Sequence, residues 1–244
     1  ISGRGDVGGV NLGKTMRTVR VFIAIVTLVG IASAADSPGT TGFQFLKTQV
    51  GARPAGMGGS FIAMDGDVQC IYYNPAGVAT VTDRAASFTY MKHLLDFNFG
   101  FVGFVQPHLG PGNLGVGLSF MDYGDFKRTD GTGAVLGNFS ANSLSLAATY
   151  SLQPVQNLSI GLSAKYIRAG IETYSADAVA ADAGVLYHFP QWMLTLAAGV
   201  FNLGRPISAF ITHKDDLPMS MRFGLAKKLE HLPLHLSLTF YRYQ

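Results

Sequence analysis

The chain has 244 residues, a formal net charge of +3 and only 14% charged residues, against roughly 25% in typical soluble domains. Its basic residues are scattered, which argues against a nucleic-acid-binding surface, and its single cysteine, Cys70, excludes a disulfide within the chain. Low charge combined with 30 glycines is typical of a protein whose outer surface does not all face water.

The N-terminal residues predict export. Residues 1–15 contain no methionine, and we expect them to be translated upstream sequence outside the mature fold. Residues 16–34 have the pattern of a secretory signal peptide: Arg17 and Arg20, an apolar run at 21–31, and a small-residue cleavage site, Ala-Ser-Ala. The apolar run is shorter than the ~20 residues that a membrane-spanning helix needs, so a transmembrane anchor is disfavoured.

Residues 35–83 form a glycine-rich segment, which includes the stretches GARPAGMGGSF and NPAG. It is too rich in glycine for an ordinary helix and too interrupted for a strand. Asn74-Pro75 predicts a rigid turn. The segment lacks the lysine of a phosphate-binding loop, and no strand precedes it. We therefore expect a compact hatch, in which glycines let the backbone approach a barrel wall closely.

From residue 84 onward the sequence alternates between apolar residues and small or polar residues, which is the period of a β-strand. In LSIGLSAKY, for example, apolar side chains at 158, 160 and 162 alternate with serine and glycine. Nine strands are predicted, near residues 84–91, 96–106, 112–122, 142–152, 157–169, 177–188, 192–202, 217–228 and 233–243.

The predicted connections alternate in length. They are short after strands two, four, six and eight, and longer after strands three, five and seven. Outer-membrane barrels alternate in this way, with tight periplasmic turns and longer extracellular loops. A secreted β-sandwich or a lipocalin-like barrel also alternates in sequence, but its polar face meets water and usually carries charge. Here that face is mostly Gly, Ser, Ala and Thr, so a membrane barrel is favoured.

The predicted fold class is thus all-β, a transmembrane antiparallel β-barrel over residues 84–244 with an N-terminal glycine-rich hatch. Nine strands would leave an open edge, so we expect the barrel to be incomplete and truncated at its C-terminus. If the connection between strands two and three is periplasmic, strand one starts on that side. The hatch at 51–79 is then expected to enter from that side.

The glycine-rich segment resembles the N-terminal signature of the PorV/PorQ family of outer-membrane proteins, which are similar in fold to the fatty-acid transporter FadL. By this resemblance, the residues that match the signature form the hatch motif. They are Gly51, Ala52, Arg53, Gly56, Met57, Gly58, Gly59, Asn74, Pro75, Ala76 and Gly77. The resemblance covers about thirty residues of the chain and implies a longer, FadL-like barrel in the bacterial outer membrane. It also implies a type IX secretion-associated adaptor, whereas the relationship to FadL implies passive uptake of a hydrophobic molecule.

No enzyme motif is present: the sequence lacks GxSxG and HExxH, and its six histidines lack metal-ligand spacing. The chain is therefore predicted not to be an enzyme and to use no cofactor or metal. Lys165 and Asp182 fall on the inward faces of adjacent predicted strands, nearly opposite one another. They predict an ion pair in the lumen, which Arg53 would extend.

Three functions remain open at this stage. The first is a secretion adaptor in the outer-membrane lipid, which binds secreted cargo proteins or secretion-system components through the loops at 124–141 and 203–218. The second is a passive channel for hydrophobic small molecules, gated by the hatch. The third is a secreted binding module.

Overall fold

The computed structural model describes residues 41–93, 95–211 and 214–243. The predicted signal peptide at 16–34, the upstream residues 1–15 and the first residues of the predicted hatch, 35–40, lie outside these ranges. The described chain is all-β, with one antiparallel sheet in which nine strands follow each other in sequence order. The strands are β1 (Ala85–Lys92), β2 (Asn98–Leu109), β3 (Gly112–Thr129), β4 (Val135–Val155), β5 (Leu158–Ile171), β6 (Tyr174–Phe189), β7 (Leu194–Pro206), β8 (Ser220–Lys228) and β9 (His235–Tyr243).

All nine predicted strands are confirmed, because a two-residue alternation is a local signal that the sheet preserves. In β5, Ser159, Gly161 and Ser163 are buried, whereas Ile160 and Leu162 are exposed. We call the face with the buried small residues the inner face and the opposite one the outer face. The sheet therefore places polar and small side chains inside and apolar side chains outside. The exceptions are large apolar side chains that are buried on the inner face as part of the core: Phe99, Phe101 and Val105 in β2, Ile167 in β5 and Phe201 in β7.

The connections differ from the prediction in two places. Strands β3 and β4 continue through most of the predicted long loop at 124–141 and are joined only by residues 130–134. Strands β5 and β6 are joined by residues 172–173 alone, with Glu172 at a positive φ of 57°. The two strands pair up to Ile171↔Tyr174, so the predicted intermediate loop is a tight turn.

The connections 110–111, 156–157, 190–193 and 229–234 lie at one end of the sheet, which we call the short-turn end. The connections 130–134 and 172–173, and the described residues of the connections 93–97 and 207–219, lie at the other, the long-connection end. In the described part of the chain, β1 and β9 each pair with one neighbour.

The N-terminal segment, residues 41–84, packs against the inner face. It contains two short α-helices, α1 (Ala52–Gly56) and α2 (Cys70–Tyr73), and two 3₁₀ helices, Gln44–Lys47 and Pro75–Thr80. Its buried side chains, which include Phe61, Ile71 and Val78, form the core together with inner-face residues of the sheet. This segment contacts strands from β2 to β9, which requires the sheet to curl around it.

The segment runs the full height of the sheet. At its start, Gly42 N donates to Asp216 O at 2.9 Å in the 207–219 connection, at the long-connection end. At its other end, Val78 O and Val81 O accept hydrogen bonds from Asn113, beside the short turn at 110–111. The expectation that residues 51–79 simply enter from the short-turn side is therefore wrong, because the preceding residues already lie at the opposite end. Among the described residues, no helix is both long enough and apolar enough to cross a membrane.

Candidate functional site: the N-terminal segment and an aromatic pocket

The first half of the motif forms a compact helical turn. Gly51 precedes α1, Ala52, Arg53 and Gly56 lie within it, and Met57 follows it. Gly58 and Gly59 have φ values of +64° and +79°, which glycine adopts without strain. Their N–H groups donate to Ala55 O and Pro54 O, so the chain reverses directly after the helix.

Arg53 does not extend the interior ion pair. Its Nη1 lies 3.1 Å from Asp67 Oδ2, and its guanidinium lies over the Phe61 ring, 5.3 Å from the ring centroid. The expected role of Arg53 in the interior network is therefore wrong. The side chain instead ties α1 to the loop before α2.

The second half of the motif packs on a pair of glycines in the sheet. Asn74 is completely buried; its Nδ2 donates to Ile62 O at 2.7 Å and its Oδ1 accepts from Ala76 N at 3.1 Å. Gly161 and Gly184 are register partners in β5 and β6. A Cβ at Gly184 would collide with Asn74 Oδ1, and one at Gly161 would lie 2.5 Å from Ala76 N. The Asn-Pro turn and the glycines of the sheet are thus complementary surfaces.

The remaining residues of that half are also tightly packed. Pro75, Ala76 and Gly77 begin the 3₁₀ helix and are buried. A Cβ at Gly77 would lie 2.7 Å from Cys70 Sγ, so only glycine fits there without a shift of α2. Burial raises the pKa of the Cys70 thiol far above its ordinary value, and Cys70 therefore acts as the small apolar core residue that its neighbours predict.

Side chains of two strands, β3 and β9, fix the segment near its end and near its middle. Asn113 in β3 donates to Val78 O and Val81 O, at 2.8 Å each. Ser60 Oγ lies 2.9 Å from the hydroxyl oxygens of Ser237 and Thr239 in β9. These side chains form hydrogen bonds with polar groups of the segment that regular secondary structure does not pair.

Lys165 and Asp182 form a buried ion pair on the inner face, with Lys165 Nζ 2.6 Å from Asp182 Oδ2. As the sequence predicted, the two residues lie nearly opposite one another: Asp182 pairs with Ser163, and Lys165 with Ala180. The turn is centred between residues 172 and 173, so the pair is diagonal. The long lysine side chain bridges this diagonal to the aspartate.

Asn202 completes this network, and the sequence analysis did not identify it. Its Oδ1 accepts from Lys165 Nζ at 3.0 Å, and its backbone N donates to Asp182 Oδ1 at 2.8 Å. Asn202 occupies a bulge in β7, where the pairing with β6 shifts by one residue, and it has a φ of 57°. Asparagine tolerates this conformation better than most residues, and the Asn-Leu-Gly sequence was the available signal.

A half-open cavity of about 340 Å³ lies at the long-connection end. We call it the aromatic pocket. Its lining residues come from five separate stretches of chain and are almost all apolar: Phe43, Gln44, Tyr123, Phe126, Phe139, Ala141, Ser143, Ala169, Gly170, Ile171 and Phe210. The Phe126 and Phe139 rings stack with centroids 5.3 Å apart. Among these lining residues Tyr123 is the only titratable one, so the pocket is suited to bind an apolar group rather than to perform acid–base chemistry.

The fold and the site together define an all-β protein whose antiparallel sheet curls around its own N-terminal segment and carries an apolar pocket at one end. No protein-family model matches the chain, and no curated protein matches it.

Proposed function

We propose that this chain is a β-barrel-type protein of the bacterial outer membrane. The observation that carries the proposal is the pattern of burial along the strands, which is the reverse of the pattern in a water-soluble sheet protein. The inner face is mostly polar or small, apart from core residues such as Phe99, Ile167 and Phe201. The outer face exposes large apolar side chains on nearly every strand: Phe88, Phe104, Val116, Leu146, Leu162, Val179, Leu203 and Leu238. A water-soluble sheet protein does not expose so continuous an apolar surface, whereas a lipid-facing one requires it.

Strand length and aromatic placement support the same proposal. Strands β2 to β7 have between 12 and 21 residues, and a transmembrane strand needs ~9–11. Phe189 and Trp192 stack at the short-turn end, with Trp192 exposed, and Tyr174 is exposed at the long-connection end. Exposed aromatic side chains at both ends fit the girdles at the two lipid–water boundaries. In this proposal the N-terminal segment is the hatch.

Within that setting, we propose that the protein acts as a PorV/PorQ-type adaptor that holds exported proteins, in the manner of type IX secretion. The motif residues support this proposal, because they form the close contacts between hatch and sheet described above. The protruding β3–β4 hairpin and the aromatic pocket lie at the same end, which in this proposal faces outward. Exported polypeptides would meet an apolar binding site there.

The mainly apolar lining of the pocket also favours a second candidate, a FadL-like passage for hydrophobic small molecules. The two candidates differ in what the pocket holds, which is a polypeptide side chain in the first and a free acyl chain in the second.

One experiment tests both candidates. The tagged full-length protein is purified from outer membranes in mild detergent, and bound molecules are identified by mass spectrometry. Exported proteins in the eluate would support the adaptor. Fatty acids without protein, together with saturable binding of a fluorescent fatty acid, would overturn the adaptor in favour of the passage. Recovery of the protein in the non-membrane fraction would overturn both, and a secreted binding module would remain.

A further inference from the structure

The β3–β4 hairpin extends beyond both neighbouring strands. Pairing of β2 with β3 ends at Asn98↔Asp122, and pairing of β4 with β5 ends at Ala141↔Ile171. Strands β3 and β4 nevertheless remain paired as far as Thr129↔Val135. Residues 125–129 and 135–139 therefore form a two-stranded ribbon whose edges pair with no other described strand, and such an edge is the part of a sheet that accepts a further strand.

The edge of β4 has a defined set of unpaired backbone groups. Ser140 O accepts from Glu172 N at 2.9 Å, so the backbone groups of Ser140 point away from β3. Because these groups alternate along a strand, those of Phe139 point toward β3 and those of Asn138 point outward again. Asn138 lies beyond the end of β5 and is exposed. Its N–H and C=O are thus available to another chain.

The open edge of β4 lies beside the aromatic pocket. Phe139 stands in the ribbon and in the pocket wall, and Gly170 and Ile171 form the neighbouring wall where β5 ends. A strand added to β4 beside Phe139 would lie where β5 would continue if the chain did not turn at residue 172. Its residue beside Phe139 would share the face of Phe139 and point toward the pocket. Arg128, paired with Glu172, ties the ribbon to the β5–β6 turn.

We propose that residues 135–139 of β4 bind an extended segment of an exported polypeptide by strand addition, and that the aromatic pocket takes one bulky apolar side chain of that segment. This inference rests on the proposed adaptor function and names how the cargo is held. Backbone hydrogen bonds give sequence-independent affinity, and the pocket selects for an aliphatic or aromatic side chain. A free acyl chain would leave the edge groups unpaired, whereas a polypeptide continues the existing β4–β5 pairing.

Substitutions at residue 138 test the edge. Asn138→Pro removes the outward donor at a position where an edge strand tolerates proline, and Asn138→Ala changes the side chain but keeps the donor. In the full-length protein purified from outer membranes, Asn138→Pro should lower the recovery of exported proteins ~5- to 10-fold, as loss of one backbone hydrogen bond predicts. Asn138→Ala should leave recovery unchanged. Circular dichroism and heat-dependent gel mobility confirm that both variants fold.

A photo-crosslinking residue at Leu136, which is 64% exposed, should form adducts with exported polypeptides. The same residue at Gln156, in the turn at the opposite end, should form none. Ala141→Phe adds a ring to the pocket without removing a wall and should also lower recovery.

Two results separate this inference from the proposed function. Undiminished recovery with Asn138→Pro and Ala141→Phe, without adducts at 136, would overturn strand addition and leave the adaptor in place. Absence of exported proteins from the wild-type preparation would overturn the adaptor, and this binding mode with it.

Discussion

At the residue scale, the buried ion pair is the most constrained contact on the inner face. Lys165 and Asp182 are nearly inaccessible to water, and Asn202 supplies the remaining partners of both. Removing one charge leaves the other buried without a counter-ion, which costs more than the pair contributes. The stability effect should therefore depend on whether one or both residues are changed.

We expect Lys165→Met to lower the free energy of unfolding by about 3–5 kcal/mol. The double variant Lys165→Met/Asp182→Leu should recover part of this loss, because no unpaired charge remains. Denaturant unfolding in detergent micelles measures both values. Strictly additive losses in the single and double variants would contradict a coupled pair.

The contact between the Asn-Pro turn and the sheet gives a second prediction at this scale. Gly184→Ala forces a methyl group against Asn74, and overpacking of this kind costs about 1–3 kcal/mol. Residues 51–80 should then become more susceptible to limited proteolysis. Gly56→Ala is the matched control, because a Cβ at Gly56 meets no atom within 4 Å. Equal protease resistance of the two variants would show that the glycine is not needed for this contact.

At the element scale, the tip of the β3–β4 hairpin is held by one carboxylate. Asp130 Oδ1 accepts hydrogen bonds from Thr132 N and Ala134 N, both at 2.9 Å, and from the Thr132 hydroxyl. These bonds, the Thr132 hydroxyl first, lower the pKa of Asp130 below its ordinary value. The contribution of Asp130 to hairpin order is therefore present at neutral pH. It is lost as the pH falls through this lowered pKa.

Amide signals test this prediction at the tip. The ¹H–¹⁵N resonances of Thr132 and Ala134 should titrate below the ordinary aspartate range, and Asp130→Asn should abolish the titration. A transition at the ordinary aspartate value would contradict the capping role. Asp96, in another connection at the same end, is a reference carboxylate whose change to Asn should leave both signals unaltered.

The elements differ in how far the sequence determines them. All nine strands followed from alternation, but the hairpin extension did not. Residues 124–140, which are rich in glycine and charge, have little apolar alternation, and their strand geometry comes from pairing with each other. The bulge at Asn202 and the two-residue turn at Glu172 likewise depend on positive φ values that several residue types can adopt.

The aromatic pocket was unpredictable for a different reason. Phe43, Tyr123, Phe139, Ile171 and Phe210 are far apart in sequence and meet only through the curl of the sheet. The interior ion pair was predictable to within one diagonal step, since both residues lie on regular strands next to one turn. Local patterns thus determined the strands and faces, and the tertiary arrangement determined the pocket.

At the scale of the whole molecule, a charged substitution on the outer face should affect stability differently in a membrane and in water. Leu162 is 66% exposed in the middle of β5. In a membrane, Leu162→Lys should destabilise the protein by about 2–4 kcal/mol. In water, the same change at an exposed position should be nearly neutral.

Unfolding of the protein in lipid vesicles measures this difference. Gln156→Lys, in the exposed turn between β4 and β5, is the control and should have no effect in either environment. A neutral result for Leu162→Lys would contradict the proposed lipid contact of the outer face.

The path of the N-terminal segment also constrains the order of folding. Ser60 meets Ser237 and Thr239, and Gly59 meets Tyr241, across almost the whole described chain. This part of the segment therefore cannot complete its contacts until β9 has been made. Contacts so distant in sequence form slowly because a long loop must close first. Before that closure, Ile62 and the residues beside it lack their partners in β8 and β9, so we expect assembly to depend on a factor that shields them until β9 is made.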